Sequence, residues 1–471
     1  MRNVNTVGAQ VLRIVHDHKH GIMYIARDAR AAIPGDAEPG RFHTLPLRFL
    51  DCGRSRFSQV RRYRRVMVAM ALAAICLLAD AHIAGACEPA PPQSKLEQAI
   101  MPTPIDDDPF FSPVPNLCAY EPGQIITWRK IKTLYTRFLV YQFKVRSNDA
   151  NDYPVAVTAT LFVPKVPWSK GQRPVVVNNQ AIDSLGTRCT PSYNYARYGF
   201  TIEEPQITDV MLHKGYAVLV PDHEGPMMAY AEGTMAAHAI LDSVRGLKRF
   251  TQTNLAQSPL AMVGYSGGAI ATGWAAQLQP YYAPELSFVG AIAGGTPTDF
   301  NLLEKTMNHT IGGGLYKAGI LGIARQHPEL LNVANAAGVL LAISPLKDAC
   351  VGLLAPAGLI YLPIEWLANQ PNPFDTPQAR EVLDGTRMGK LKPEMPVYLF
   401  HGSIDEWIPE QGAIQVWHDW CSLGANVSFT AVPGDHIIGM FTGLGGFIKW
   451  LEERFAGIPA PNGCPCQSQK P

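Results

Sequence analysis

The sequence predicts an α/β fold: a mostly parallel central sheet with helices on both faces and a helical cap inserted late in the chain. Three observations lead there. Short apolar runs at 174–178, 216–220, 259–265, 287–293, 396–401 and 427–432 alternate with helical segments, and runs that are apolar throughout mark strands buried on both faces. One of them, Leu260-Ala261-Met262-Val263, leads into Gly264-Tyr265-Ser266-Gly267-Gly268 and then into Ala269–Leu278, a small-residue segment suited to a helix packed closely on a sheet. Between Phe300 and Pro393 the alternation stops, and the Leu-, Ala-, Ile- and Gly-rich stretch there is too long to be a bare loop.

At 471 residues the chain accommodates one large domain with insertions, or two domains. Hydrophobic residues make up 47% and the formal net charge is +1. Nothing in that balance favours nucleic acid, and the body of the chain has no basic stretch interleaved with aromatics. There is no internal repeat and no phosphate-cradling Gly-x-x-x-x-Gly-Lys. The 41 glycines and 39 prolines suit the many turns of a sheet-rich protein.

Residues 1–86 read as leader and signal peptide. The first 65 are Arg-rich without periodicity, and Arg61-Arg62-Tyr63-Arg64-Arg65 precedes the apolar run Val66–Ala79. That run is short for a membrane span and right for a signal-peptide core; an uncleaved signal anchor is the alternative. Ala79-Asp80-Ala81 and Ala84-Gly85-Ala86 both offer cleavage sites, and Cys87 weakly resembles a lipidation site. Because a basic leader is normally short, residues 1–60 are expected to lie upstream of the functional start, near Val60 or Met67. The mature chain is expected to be secreted, or held in the periplasm or cell envelope, without a stable membrane span. Seven of the nine cysteines lie beyond residue 86, so disulfides are expected. No Cys-x-x-Cys pair matches a zinc site, and Cys464-Pro465-Cys466 stands in a tail expected to fray.

Taken in order, 88–118 is Pro-rich and reads as surface wrapping. Thr136–Val145 and Val155–Val163 read as two antiparallel strands across the turn at 147–152. The buried strands at 174–178 and 216–220 follow, then the alternating region. The expected organisation is a core in two parts, 87–300 and 394–457, separated by a mostly helical insertion at 301–393 and followed by a tail at 458–471. The insertion reads as a lid with an acyl-chain pocket, although helix-on-helix packing accounts for most of its apolar residues.

The strand, abrupt turn and helix around Ser266 are what a nucleophile elbow needs. Such a turn strains its central residue, so neighbours without side chains must flank it, and Gly264 and Gly268 supply them. A Ser hydroxyl needs a base to take its proton and an acid to orient that base. The order Ser, Asp, His selects Asp405, just past the strand that ends at His401-Gly402, and His436 in the loop after the last strand. His401 precedes the acid and is expected to support the turn. Glu406 is a substitute for Asp405, Asp435 reads as a solvated loop residue, and Asp222 is a second choice of acid that more simply holds a turn. The oxyanion requires two donors. The Gly267 N–H is one, and the other comes from the loop 179–184, where elbow logic alone cannot choose the residue.

These motifs together resemble the secretory lipase family, α/β-hydrolases with a helical cap. The resemblance rests on Gln180-x-x-Asp183-Ser184 with Gly186-Thr187-Arg188-Cys189, on Pro221-Asp222-His223-Glu224-Gly225-Pro226, on the elbow, and on His401-Gly402-Ser403-x-Asp405. It spans about 100–457, and Asn179 stands where the family commonly has Tyr. It implies the α/β-hydrolase fold, the Asp183 N–H as second oxyanion donor, and a Cys189–Cys350 disulfide. The expected function is that of a secreted serine hydrolase cleaving carboxylic esters, a triacylglycerol lipase or esterase, through an acyl-enzyme on Ser266. Its expected partner is an ester or lipid substrate, met at a lipid–water interface; no cofactor and no metal are required. An acyltransferase or peptidase using the same triad, or a non-catalytic binding protein of this fold, are the alternatives.

Overall fold

The computed structural model describes residues 13–17, 22–26, 87–88, 90–133, 136–197 and 205–465. The chain falls into two compact units, Met1–Ile83 and Ala84–Pro471. The first contributes an antiparallel pair, Arg13–Asp17 with Ile22–Ala26. The expected signal-peptide core and both cleavage sites lie outside the described residues.

The second unit is built on a nine-stranded sheet. Its strands are β1 (Ile125–Ile131), β2 (Phe138–Asn148), β3 (Pro154–Pro164), β4 (Val175–Asn179), β5 (Ala217–Pro221), β6 (Leu260–Tyr265), β7 (Gly290–Gly294), β8 (Val397–Gly402) and β9 (Val427–Val432). They lie in the order β9-β8-β7-β6-β4-β5-β3-β2-β1. The pairs from β5 to β9 are parallel, and β1 to β3 form an antiparallel wing joined to β5. The chain lays β5 on one side of β4 and then crosses to lay β6 on the other. The carboxyl ends of β4 and β6 therefore flank the crevice where such sheets place their ligands.

Every residue of β4 to β8 is buried, as their unbroken apolar runs require. Alternate side chains serve two cores. On one face Phe143, Val177, Met262 and Leu399 pack with Leu241, Trp274 and Trp420. These come from α2 (Gly233–Arg249), α3 (Gly267–Tyr282) and α9 (Glu410–Ser422). On the other, Phe162, Val176, Val263 and Phe400 meet Met211, Trp450 and Leu451, carried by α1 (Pro205–His213) and α10 (His436–Phe455).

Between β7 and β8 stand five helices: α4 (Phe300–Met307), α5 (Gly313–Ala324), α6 (Ala336–Ala342), α7 (Val351–Ala357) and α8 (Pro377–Gly385). The Gly312-Gly313-Gly314 run has a packing reason, since a Cβ on Gly314 would overlap the Leu354 carbonyl of α7. Arg325, just after α5, is buried and donates to the carbonyls of Ile100, Leu185, Met227, Met228 and Lys347. It ties this helical region to the N-terminal segment and to two core loops.

Two expectations need correction. Ile125–Ile131 was not expected as a strand: it pairs on one side only, at the sheet edge, and its half-exposed, charged run lacks a strand signature. The tail does not fray at Cys464, which is bonded to Cys421 and follows Gly463, packed against Ser428 at the start of β9. A further disulfide, Cys87–Cys118, closes the Pro-rich N-terminal strap, so the Cys87 sulfur is not available to a lipid. Cys466 lies outside the described residues.

Candidate active site

Ser266 sits between β6 and α3 with φ 54° and ψ −125°, a backbone conformation that only a tightly constrained turn sustains in a non-glycine residue. The constraint is steric. A Cβ on Gly264 would overlap the Gly268 carbonyl, and one on Gly268 would overlap the Asn179 carbonyl of β4. With both positions bare, the turn closes and the Ser266 N–H reaches the Gly294 carbonyl of β7 at 2.9 Å. The hydroxyl is left above the carboxyl edge of the sheet, at the N-terminus of α3.

His436 Nε2 lies 2.9 Å from Ser266 Oγ, and His436 Nδ1 lies 2.7 Å from Asp405 Oδ2. With Nδ1 donating to the carboxylate, Nε2 is left as the acceptor for the serine proton. His436 is the first residue of α10 rather than part of a loop. Asp435, expected as a solvated loop residue, is the N-cap: its Oδ1 accepts from Ile437 N at 2.9 Å and Ile438 N at 2.8 Å. A Gly-Asp before an apolar segment was a readable helix start. The Tyr265 hydroxyl donates to the His436 carbonyl at 2.6 Å, which locks the start of α10 to the residue beside the nucleophile.

Asp405 is buried while Glu406 is exposed. Its Oδ1 accepts from Ile408 N at 2.9 Å and Trp407 N at 3.2 Å. His401, fully buried at the end of β8, donates from Nε2 to the Ile408 carbonyl at 2.8 Å and lies 3.3 Å from Asp405 Oδ2. Burial alone raises the Asp405 carboxyl, but the hydrogen bonds from His401 and His436 outweigh it and hold the group well below the usual carboxylate range. Asp222 takes no part in this line: its Oδ1 accepts from Ser192 N at 2.9 Å and its Oδ2 from the Thr158 hydroxyl.

Gly267 opens α3, so its N–H has no partner within the helix. A Cβ there would overlap the Asp183 carboxyl, which places that side chain against the elbow. Asp183 has φ 46° and is buried. Burial pushes its carboxyl up to about 7. Glu224, buried beside it, is raised well above its ordinary value by desolvation and then by the Asp183 charge, while the N–H groups of Ser184 and Asp183 act the other way. The Ser184 N–H lies 3.4 Å from Glu224 Oε1. The expected oxyanion donor, the Asp183 N–H, thus faces the Glu224 carboxyl.

The same loop is held from three sides. His223 Nε2 donates to the Gln180 carbonyl at 2.7 Å, and burial brings that imidazole down to about 4, so it is neutral. Gln180 donates to the Tyr195 hydroxyl at 2.8 Å. Ser184 Oγ accepts from Val351 N of α7 at 2.9 Å, next to the Cys189–Cys350 disulfide. Glu224, His223 and Ser184 carry no role expected from the sequence, although all three stand in the motifs that carry the resemblance. A cavity of about 300 Å³ opens over Ser266 and His436, with Ile270, Phe300, Leu315 and Val351 among its apolar walls.

The secretory lipase family model matches residues 200–463. A secreted triacylglycerol lipase, LIP1 of Malassezia furfur, is 32% identical over 388 residues, covering 76% of this chain and 78% of its own. Lipase A of Moesziomyces aphidis is 30% identical over 383 residues, covering 76% and 82%. Among solved structures, Candida antarctica lipase A superposes with a TM-score of 0.70 at 29% identity, covering 76% of this chain and 88% of its own. An esterase, LipA of Xanthomonas oryzae, shares the fold at a TM-score of 0.57 and 15% identity. On the family match and the identity to LIP1 this chain belongs to the secretory lipase family, and with the likeness to Candida antarctica lipase A it carries the α/β-hydrolase fold.

Proposed function

We propose that the chain cleaves carboxylic esters through an acyl-enzyme on Ser266, with triacylglycerols as the substrate class. As a member of its family it is a secreted ester hydrolase of the lipase type. The triacylglycerol assignment is supported by relatives named as secreted triacylglycerol lipases. The observation that carries the mechanism is the unbroken line from Asp405 Oδ2 through His436 to Ser266 Oγ, at 2.7 and 2.9 Å, on the floor of an apolar cavity.

Ser266 Oγ attacks the ester carbonyl as His436 Nε2 takes its proton, and the imidazolium is stabilised by Asp405. The oxyanion is met by the Gly267 N–H and by the Asp183 N–H, once the latter turns from Glu224. Collapse passes the proton from His436 to the departing alcohol. Water then repeats the cycle and releases the acid. Residues 301–393 serve as the cap between the two parts of the core, 87–300 and 394–457, and the apolar walls that α4, α5 and α7 supply would hold the acyl chain.

A lipid–water interface is the setting this reading favours. Ile404, Ile437, Ile438 and Phe441 are half or more exposed beside His436, as are Leu359, Ile360 and Trp366 on the cap, and apolar side chains displayed this way suit a lipid surface. No helix among the described residues is long and apolar enough to cross a membrane. The test is Ser266→Ala: p-nitrophenyl ester turnover and fluorophosphonate labelling should both vanish while the circular dichroism spectrum is unchanged. Turnover that survives would remove the mechanism.

A further inference from the structure

A second cavity, of about 320 Å³, lies beneath the N-terminal strap and shares no lining residue with the one above Ser266. Its walls are mostly apolar: Pro104, Ile105, Val114 and Leu117 from the strap, Val155 and Val157 from β3. Into this space β2 sends Lys144, which is 5% exposed. Its Nζ donates to the Ser112 carbonyl of the strap at 2.7 Å, which engages one of the three ammonium donors. The strap is itself fixed, by the Cys87–Cys118 disulfide and by the pairing of Asp108 with Arg129 of β1 at 2.8 Å.

A buried ammonium in an apolar chamber is costly unless an anion or further acceptors meet it. We propose that this chamber binds a fatty carboxylate, with the headgroup on Lys144 and the chain along the strap. The surrounding charges select among anions. Asp222 lines the same chamber beyond Thr158, the register partner of Lys144, and its two oxygens are already occupied by Thr158 and Ser192. A single cation sharing the chamber with a carboxyl group suits a monoanion with an apolar tail and disfavours phosphate or sulfate, which need several donors. The assignment does not depend on the reaction at Ser266.

The charged groups around the site give it a pH signature. Burial brings the Lys144 ammonium down to about 8, with Asp108 opposing and Arg129 adding to the shift. Burial also pushes Asp222 up to about 7, against its hydrogen bonds from Thr158 and Ser192. Raising the pH past these values removes the cation and ionises the carboxyl in the same chamber, so both changes weaken carboxylate binding.

The test is calorimetric titration of sodium octanoate into the full chain, into Lys144→Gln and into Leu315→Trp, which fills the cavity above Ser266. The Gln side chain keeps a donor for the Ser112 carbonyl, and unchanged p-nitrophenyl butyrate turnover reports that this variant is folded. Octanoate should bind the parent and Leu315→Trp alike and bind Lys144→Gln at least about tenfold more weakly. In the parent, affinity should fall as pH rises from about 6 to about 9. Octanol should bind weakly and without pH dependence, and inorganic sulfate should not compete. The proposal is overturned by absent saturable binding, by binding lost in Leu315→Trp but kept in Lys144→Gln, or by octanol or sulfate matching octanoate. Should Lys144→Gln not fold, a flat pH profile for the parent overturns it equally.

Discussion

His401 Nε2 lies 3.3 Å from Asp405 Oδ2, the oxygen that also receives the His436 Nδ1–H at 2.7 Å. Both oxygens of Asp405 are therefore claimed, since Oδ1 takes the N–H groups of Trp407 and Ile408. Each donor lowers the basicity of the carboxylate.

Replacing His401 by Asn should thus do two things. Turnover should fall by about tenfold, the loss expected for one hydrogen bond to a charged group. The acid limb of the kcat/KM profile should also move to higher pH, because a more basic Asp405 stabilises the His436 imidazolium. A purely structural role would lower turnover and leave the limb in place. The pH–rate profile of the variant decides between them.

Asp405→Asn tests the orienting role directly. The amide offers its NH2 group where Nδ1–H must donate, which favours the wrong tautomer, and kcat is expected to drop by about 10³- to 10⁴-fold with KM little changed. Stability should respond as well. The folded Asp405 carboxyl is held below its ordinary value of 3.8, so the stability it contributes is present above that pH and is lost as pH falls below it. Acid denaturation of Asp405→Asn should be less steep than that of the parent in this range.

Gly264 and Gly268 are bare because the turn at Ser266 brings β4, β6 and α3 within contact. A methyl at Gly268 would overlap the Asn179 carbonyl, a backbone atom that cannot rotate aside. Gly268→Ala should cost about 1–3 kcal/mol of stability, as overpacking of a tight site does, and should lower activity more than stability because Ser266 Oγ is displaced. Thermal melting and ester turnover of the variant measure both.

Much of this arrangement was legible in the sequence. The strands β4 to β8 announce themselves because a strand buried on both faces is largely apolar, and the expected limits agree with the observed ones to within a few residues. Ser266, Asp405 and His436 could be selected by order and by position at strand ends, and the structure brings the three side chains together. Elsewhere the signal is weaker. An edge strand such as β1 needs no unbroken apolar run. Spacing alone does not pair Cys87 with Cys118 or Cys421 with Cys464, since their approach depends on how strap and tail fold back. Glu224 was invisible as a neighbour of Asp183 because the two meet only when β4 and β5 align side by side.

The Cys189–Cys350 bond closes a separation of 161 residues and joins the oxyanion loop to α7. Beside it, Ala349 O accepts from Leu185 N at 2.9 Å and Val351 N donates to Ser184. Replacing both cysteines by Ser should lower stability by about 2–5 kcal/mol. The loss should be seen first as a fall in kcat, with faster hydrogen exchange at 182–189 and 349–354. Equal exchange in parent and variant would show that the hydrogen bonds suffice.

Asp183 and Glu224 set the alkaline behaviour. Burial pushes Asp183 up to about 7, and Glu224 is raised by burial and then by Asp183. At lower pH both carboxyls are protonated, and the Asp183 N–H faces neutral groups. As pH rises through about 7 a negative charge appears beside the site where the oxyanion must form, and it competes for the same N–H. Activity should therefore decline above that pH. The sign for stability is the same: an acid whose folded value is raised contributes most at low pH, and that contribution is lost as pH climbs from about 4 to about 7. Asp183→Asn removes the group that ionises there. Its kcat should hold into more alkaline solution, and its thermal midpoint should lose less on going from acid to neutral pH. An alkaline limb that stays where it is in Asp183→Asn would assign the decline to another group.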